Sequence, residues 1–276
     1  MTISSPDALL ERLHNLGQGN DESLPLAETA LMLAALDRSG GIDLEPYREH
    51  LARVAGDARD SFASLRRGMT VNDAAARALV DIISSRHGYM GDSTNYDDPR
   101  NADLIQVIDR RRGLPVALGI LYLDVASALD IKADGLNTQG HFLLSVGEGD
   151  HARIVDPFNG VVLDTNELRM APPMGAPMEY GPVSRRDVLL RLLNNIHARS
   201  MAAKDTLRTL TMTERMVLIA PRRPDLWLEL CKACEAVGKL NGAMRAAKSC
   251  IELSEPESST GREAAFILHS LKRKVN

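Results

Sequence analysis

A chain of 276 residues with 44% apolar and 25% charged residues is long enough for one large domain or two ordinary ones, and its composition is that of a soluble globular protein. A formal charge of −4 and the lack of a recognisable DNA-binding motif disfavour a dedicated nucleic-acid binder. The charge is uneven, because residues 1–60 carry 5 Lys and Arg against 11 Asp and Glu, whereas residues 185–276 carry 17 against 10.

The N-terminal segment has neither a basic start nor an apolar run, so the sequence shows no secretory signal. The longest apolar stretch, Leu114 to Leu123, is too short to span a bilayer. The expectation is a cytoplasmic protein with no membrane partner.

Helical periodicity dominates the N-terminal part of the chain. Apolar residues recur at helical spacing in residues 24–38 and 43–54, which predicts two packing helices. A third helix is predicted from Asn72, a good N-cap residue, to Gly88, which is placed to end it. Its predicted buried face consists of Ala75, Leu79, Ile82 and Ile83. After a polar loop, Asn101 is the predicted N-cap of the next helix.

An apolar helix is predicted to begin at Pro115, since the fixed φ of proline suits the first helical turn, where a backbone N–H would lack an intrahelical partner. The charged run 109–112 closes the previous helix near its C-terminal end, and Gly113 breaks it. Residues 116–129 are apolar on nearly every side, which is typical of a buried central helix. Its polar exceptions are Tyr122 and Asp124.

Short β-prone runs follow this helix. Residues 141–146 and 152–156 are predicted to pair through a glycine-containing hairpin, and residues 161–163 are a candidate third strand. A segment rich in proline and glycine ends the domain and is the predicted linker, residues 173–183. The predicted fold class is α+β, mostly helical with a small antiparallel sheet. The predicted domains are residues 1–172, which hold the sheet, and the α-helical residues 184–276.

The C-terminal region begins with Ser184 and Asp187, whose spacing is close to that of a capping box. Within residues 227–253, the placing of Trp, Leu, Gly and Ala, with a proline just beyond, matches a tetratricopeptide repeat, a helix hairpin of about 34 residues. An ordinary helical hairpin is the alternative interpretation.

All three cysteines, Cys231, Cys234 and Cys250, lie in this region and are expected to be reduced. The repeat interpretation places them at packing positions. It is preferred to a redox or zinc-binding C-x-x-C, because no second Cys or His pair lies nearby to complete a zinc site.

His141 and Asp156 stand in the order found in cysteine-nucleophile enzymes, after a helix whose first turn can hold a nucleophile. That chemistry needs a thiolate at the positive end of a helix, a His to accept its proton and a carboxylate to orient the His. Adjacent hairpin strands can bring His141, which begins the first strand, within hydrogen-bond reach of Asp156, which ends the second.

Five motifs occur in order within residues 85–165: Tyr96-x-Asp98-Pro99-Arg100-Asn101, Arg112-Gly113-x-Pro115, Leu121-Tyr122-Leu123, Gly140-His141-Phe142-Leu143 and Asp156-Pro157-Phe158-Asn159-Gly160. Together they resemble the SirB1 family, in which a transglutaminase-like domain is followed by tetratricopeptide repeats and which carries a proposed role in regulating sirC expression. The resemblance is looser outside these residues. It implies a transglutaminase-like, or papain-like, core for the α+β domain.

The resemblance places the nucleophile of the superfamily in a motif similar to Arg-Gly-x-Cys, and the corresponding residue here is Pro115. Proline has no ionisable side chain and lacks the backbone N–H that a nucleophile position often contributes to an oxyanion hole. No Cys, Ser or Thr occurs from Leu114 to Leu123, and Ala117 stands where the family often has Ser. The expected site is a degenerate triad, Pro115, His141 and Asp156, without an acyl-enzyme mechanism.

Two interpretations are open for the remaining site residues. His141 and Asp156 can form a hydrogen-bonded pair that fixes the hairpin, or they can line an inherited pocket that receives a carboxylate or a peptide terminus. The nearby arginines either belong to that pocket or are solvated or ion-paired to Asp97, Asp98 and Asp103. The candidate binding residues are Arg100, Arg110, Arg111, Arg112, Tyr122, His141, Asp156 and Asn159. No cofactor or metal site is expected, because His141 and Asp156 supply two ligands at most.

The leading hypothesis is a non-catalytic regulatory or scaffolding protein that binds a protein or peptide partner through its C-terminal helical region. The basic balance of that region favours an acidic partner. The alternative is an amidase or peptidase that uses His141 as a base on water, with Asp156 orienting it. Direct DNA regulation is disfavoured by the acidic total, and the sequence leaves the oligomeric state open.

Overall fold

The computed structural model describes residues 5–137, 142–163 and 181–275. The chain divides into two compact units: the first consists of Met1–Leu9 and Asp21–Val188, and the second of Leu10–Asn20 and Leu189–Asn276. The predicted fold class is confirmed, since the structure is mostly helical with a small antiparallel sheet. The predicted linker lies mostly outside the described residues, so the domain boundaries given above stay predictions.

Helices make up most of the chain before the sheet. They are α1 (Pro6–Gln18), α2 (Leu26–Ala35), α3 (Glu45–Leu65), α4 (Val71–Val80), α5 (Leu104–Arg110) and α6 (Pro115–Ala128). The two helices predicted from residues 24–38 and 43–54 are confirmed as α2 and α3, and α3 continues further than its apolar pattern indicated. In the described part of the chain, no helix combines the length and the apolar character needed to cross a bilayer.

α6 is the predicted central helix, and every residue from Val116 to Leu123 is buried. Burial of each large aliphatic side chain contributes roughly 1.5–3 kcal/mol, so this helix is a main source of stability in the first unit. Gly119 allows the helix to approach the sheet closely, because a Cβ at this position would lie 2.3 Å from the ring of Phe142.

The predicted N-caps of α4 and α5 are wrong. α4 is capped by Thr70, whose hydroxyl accepts from the backbone N–H of Asp73, while the Asn72 amide donates to the Glu148 carbonyl at 3.1 Å. In α5 the N-cap is Asp103, which accepts from the Gln106 N–H at 3.0 Å. Both true caps lie two residues from the predicted ones, and a sequence with several capping residue types in a row does not decide among them.

The other features predicted for α4 are confirmed. The four residues of its predicted inner face are buried: Ala75, Leu79, Ile82 and Ile83. The helix changes to a π-helical turn at Asp81–Arg86, and Gly88 follows with a φ of +74°, a conformation that favours glycine and turns the chain away.

The sheet has five strands in the order β6-β5-β4-β3-β7, and all neighbouring pairs are antiparallel. The strands are β3 (Ala133–Asn137), β4 (Phe142–Val146), β5 (Arg153–Asp156), β6 (Val161–Leu163) and β7 (Pro182–Val183). The predicted hairpin is the β4–β5 pair, in which Leu144 lies opposite Val155, and the candidate third strand is β6.

A separate parallel pair, β1 (Met90–Gly91) and β2 (Arg112–Gly113), aligns Met90 with Arg112 directly before α6.

The chain continues after the sheet as helices. They are α7 (Arg185–Ala202), α8 (Thr206–Ile219), α9 (Pro224–Ala236), α10 (Leu240–Leu253) and α11 (Ser259–Val275). The Ser184–Asp187 pair predicted to open the helical region caps α7, since the Ser184 hydroxyl accepts from the Asp187 N–H at 3.1 Å. Consecutive helices from α9 to α11 pack against one another around two apolar clusters. Cys231, Cys234 and Cys250 are buried free thiols within this packing, which agrees with the packing role predicted for them.

Candidate functional site

Pro115 is the first residue of α6 and is half-buried. The preceding Leu114 is the N-cap, so no side chain caps this helix. Backbone hydrogen bonds hold the approach to it: the Leu114 N–H donates to the Asn101 carbonyl at 2.9 Å, and the Asp92 N–H donates to the Gly113 carbonyl at 3.3 Å. The position that resembles the nucleophile of the superfamily is thus well fixed at the start of the central helix, but it carries no reactive group.

A buried polar network lies next to this approach. The Arg110 guanidinium donates to Asp92 Oδ2 at 3.0 Å and to Asn101 Oδ1 at 3.1 Å. Its Nη2 also lies 3.8 Å from Asp98 Oδ2. Arg100 Nε and Nη2 donate to Oδ2 of the same Asp98 carboxylate, at 2.9 and 2.6 Å. Two of the predicted ligand-binding arginines are therefore already engaged by carboxylates of their own loop.

Hydrogen bonds keep both acids of this network ionised. Those from Arg100 lower the pKa of Asp98 to about 2. The backbone N–H of Asn95, followed by the side chains of Asn101 and Arg110, lowers the pKa of Asp92. The network of two carboxylates and two guanidinium groups is therefore balanced in charge at neutral pH.

The alternative prediction for the arginine run, ion pairing, holds only in part. The pair between Arg100 and Asp98 is present. The predicted pairing of Asp103 with this run is wrong, because its carboxylate receives Nη1 and Nη2 of Arg38 at 2.6 and 2.9 Å. Arg112 is exposed and donates to two backbone carbonyls, those of Gly88 at 3.0 Å and Arg111 at 2.9 Å.

Arg111 belongs to a different cluster, which sequence reasoning missed. It ends α5 with a left-handed φ of 60°, and its guanidinium lies 4.6 Å over the Tyr89 ring while donating to the Tyr89 hydroxyl and the Ile108 carbonyl. His50 Nε2 lies 2.8 Å from the Tyr89 oxygen and 3.0 Å from Arg111 Nη1. His50 comes from α3, so no local motif signals this contact.

Burial, and secondly the positive charge of Arg111, lowers the pKa of His50 to about 4. The imidazole is therefore neutral at pH 7 and can accept a hydrogen bond at Nε2. Burial also raises the pKa of Tyr89. Tyr89 thus stays protonated. Its hydroxyl accepts a hydrogen bond from Arg111 and donates one to the neutral His50 Nε2.

Asp156 ends β5, and its carboxylate turns back onto its own loop. Oδ1 accepts from the N–H groups of Phe158 at 2.8 Å and Asn159 at 3.1 Å, and Oδ2 accepts from Asn159 Nδ2 at 2.7 Å. Gly160 closes the loop with a φ of +63°, and its N–H donates to the Asp156 carbonyl at 2.9 Å. The carboxylate therefore acts as the hydrogen-bonding centre of a tight turn.

This loop is also locked against β1. The Gly91 N–H donates to the Phe158 carbonyl at 2.7 Å, and the Phe158 ring covers Gly91 so closely that a Cβ there would lie 2.3 Å from it. The Tyr96 ring lies 5.9 Å from that of Phe158. Two of the sequence motifs, those that contain Tyr96 and Phe158, thus meet through ring contacts.

Tyr122 lies on α6 and is 0% exposed, and its hydroxyl has no hydrogen-bond partner among the described residues. Burial, and secondly the nearby negative charge of Asp156, raises its pKa, so the group is a neutral phenol. The structure brings predicted site residues together in two groups: Asp156 with Asn159, close to Tyr122, and Arg100 with Arg110 at the Asp98 carboxylate.

The second member of the predicted triad, His141, lies outside the described residues. Its pairing with Asp156 therefore stays a prediction. Within the described ranges, no group of three or more His, Cys, Asp and Glu side chains is placed to hold a metal ion.

A buried helix that starts at Pro115 and packs on an antiparallel sheet, with Asp156 at a strand end near it, is the architecture expected of a transglutaminase-like domain. Residues 45–194 match a family model described as the transglutaminase-like superfamily. The chain belongs to this superfamily.

Relatives are similar to the chain over different lengths. A UPF0162 protein of Xylella fastidiosa strain Temecula1 is 30% identical over 256 residues, which cover 89% of this chain and 89% of that protein. A UPF0162 protein of Pseudomonas aeruginosa is 31% identical over 205 residues, which cover 71% of this chain and 72% of that protein. F-box only protein 21 of Mus musculus is 28% identical over 130 residues. This aligned region covers 43% of this chain and 21% of that protein.

Proposed function

We propose that this chain is a non-catalytic member of its superfamily that acts as a regulatory or scaffolding protein by binding a protein or peptide partner. The single observation that carries the proposal is that Pro115 begins α6, at the position that the sequence resemblance assigns to the nucleophile. A proline there supplies neither an attacking atom nor a backbone N–H for an oxyanion hole. The proposal includes a cytoplasmic location, as the sequence predicts.

Partner binding is assigned to the helices of the second unit, in which the hairpins are proposed to be tetratricopeptide-like and the chain SirB1-like. Support comes from large apolar side chains that these helices leave exposed, namely Met201, Leu207 and Phe266 at 55%, 67% and 77%. Exposed apolar groups amid charged residues are typical of protein interaction surfaces.

The hydrolase alternative, with His141 as a base on water, requires Asp156 to orient the imidazole. Asp156 already accepts three hydrogen bonds from its own loop, and Oδ1 is fully occupied by two of them. A role in holding that loop explains this carboxylate without any chemistry, which favours the binding proposal.

The test compares turnover with partner binding in the full chain. Purified protein and its His141→Ala variant are assayed on amide and ester substrates, and the same preparations serve as bait for partners that are then rebound from purified components. We expect no turnover above the buffer rate and a stoichiometric complex with both preparations. Turnover that is lost in His141→Ala, without any reconstituted complex, would overturn the proposal.

A further inference from the structure

The helices α9, α10 and α11 separate their charges between two ends of the array. At one end lie five cationic residues: Lys239, Arg245, Lys272, Arg273 and Lys274, here called the basic end. At the other end, where α10 gives way to α11, lie the acidic residues Glu252, Glu255 and Glu257. The net positive charge that the sequence assigns to this region is thus concentrated in one place.

Contacts between the helices place these cations together. Lys274, in the last turn of α11, donates to Glu235 at the end of α9 at 2.7 Å. Leu271, one turn earlier, is fully buried in the cluster that also includes Val237 and Leu240 of the α9–α10 turn. The final turn of α11 therefore packs beside the turn that carries Lys239.

Few acidic side chains neutralise the cations of the basic end. Glu235 pairs with Lys274, but the other four cations form no ion pair with an acidic side chain of the described residues, and all four are exposed. Two cations elsewhere on these helices have counter-charges, since Arg262 pairs with Glu257 at 3.3 Å and Lys232 pairs with Glu263 at 3.0 Å. Lys248 of α10 is a single exposed cation away from the basic end, without an ion pair among the described residues. Like charges left together without counter-charges favour an anionic partner.

A surface depression lies within the basic end. Its volume is about 470 Å³, and its lining consists of Gly238, Lys239, Leu240, Asn241, Gly242 and Arg245. It offers two cationic side chains, an amide and one partly buried apolar side chain. That combination suits a few adjacent side chains of a peptide, with carboxylates toward the cations and an aliphatic group toward Leu240.

We propose that the basic end is the docking site for an acidic protein segment, a stretch with neighbouring Asp or Glu carboxylates. This inference rests on the proposed function and specifies where the partner binds. Nucleic acid is the less suitable anion, because the cations form a compact cluster beside a depression of limited volume, and the whole chain carries a net charge of −4.

The test measures fluorescence anisotropy of a labelled peptide of alternating Glu and Ala, added to the full chain at low and at high salt. The double variant Lys239→Ala, Arg245→Ala should weaken binding by about tenfold, since two charge pairs are lost. The matched control, Arg223→Ala with Arg262→Ala, removes the same charge from the same array, outside the basic end, and should weaken binding less than about twofold. A Gln and Ala peptide should not bind.

Equal losses in the two double variants would mean that only the net charge matters, and would overturn the site. A labelled thymidine oligonucleotide that binds more tightly than the peptide, and is released by the first variant only, would replace the proposal with a nucleic-acid site. If a reconstituted partner still binds the Lys239→Ala, Arg245→Ala protein unchanged, the docking site is refuted while the proposed function stands. The absence of any partner for the unmodified chain refutes the proposed function itself.

Discussion

Tyr122→Phe is expected to stabilise the protein, although Tyr122 is among its most deeply buried side chains. The substitution keeps the ring that packs in the core and removes a hydroxyl with no hydrogen-bond partner among the described residues. A buried, unsatisfied polar group costs about 1–3 kcal/mol relative to its hydrated state in the unfolded chain. We expect the free energy of unfolding to rise by about 1 kcal/mol, because the small void left by the oxygen offsets part of the gain.

Tyr89→Phe is the matched control, since Tyr89 is also buried but its hydroxyl accepts from Arg111 and lies 2.8 Å from His50 Nε2. Removing this hydroxyl takes one hydrogen-bond partner each from Arg111 and His50, so the free energy of unfolding should fall by about 1–2 kcal/mol. The two substitutions delete the same atom, and the structure predicts opposite signs.

The assay is urea unfolding of the full chain, followed by far-UV circular dichroism, with thermal melts as a second measurement. A change of about 1 kcal/mol corresponds to a shift of about 2–4 °C in Tm for a domain of this size. A lower free energy of unfolding for Tyr122→Phe would refute the reasoning, because it would mean that the hydroxyl makes a hydrogen bond in solution. Repeating the substitution in an Asp156→Asn background would show whether Asp156 is the acceptor.

Other predictions concern the groups around α6. Asp98→Asn should lower the free energy of unfolding by about 1 kcal/mol in urea melts, because Arg100 is exposed and Arg110 keeps its bonds to Asp92 and Asn101; an unchanged midpoint would show that the Asp98 charge contributes nothing. Because the pKa of His50 is about 4 in the folded chain and about 6.5 when unfolded, its stabilising contribution is complete above pH 6.5 and is lost as the pH falls toward 4. Urea melts across this range should therefore show a shallower pH dependence for His50→Gln, and equal slopes would contradict the pKa. Gly91→Ala should lower the free energy of unfolding by about 1–3 kcal/mol, because its Cβ would overlap the Phe158 ring. Gly56→Ala, in open space on α3, should raise the free energy of unfolding by about 0.5–1 kcal/mol in the same melts. Similar effects at both sites would refute the close packing at Gly91.

Local signals in the sequence were enough to predict the elements that make the core. The start of α6 at Pro115 and the hairpin that ends at Asp156 follow from proline geometry, apolar patterning and glycine turns, all of which act between near neighbours. β3 was missed because Ala-Asp-Gly-Leu-Asn shows no strand alternation. Its extended form is imposed by pairing with β4 and β7 on either side.

The site was predictable to a smaller extent, for the same reason. Asp156 and Tyr122 were singled out from the sequence, but the use of the Asp156 oxygens by its own loop depends on the turn geometry. The cluster of His50, Tyr89 and Arg111 joins α3, the residue before β1 and the C-cap of α5, so it depends on tertiary packing that no spacing of residues reveals. Long-range polar contacts of this kind are fixed only after the core has formed.

The motifs that the sequence carries within residues 85–165 have structural roles around the start of α6. The Asn101 carbonyl accepts a hydrogen bond from the Leu114 N–H, and the Asp98 carboxylate accepts from Arg100. The Phe158 ring packs on Gly91. Since none of these contacts involves the side chain at position 115, the fold does not require a nucleophile there. Proline suits that position, because its fixed φ fits the first helical turn. The architecture around the start of α6 is therefore complete with a proline at position 115, which is the arrangement that the proposed non-catalytic function requires.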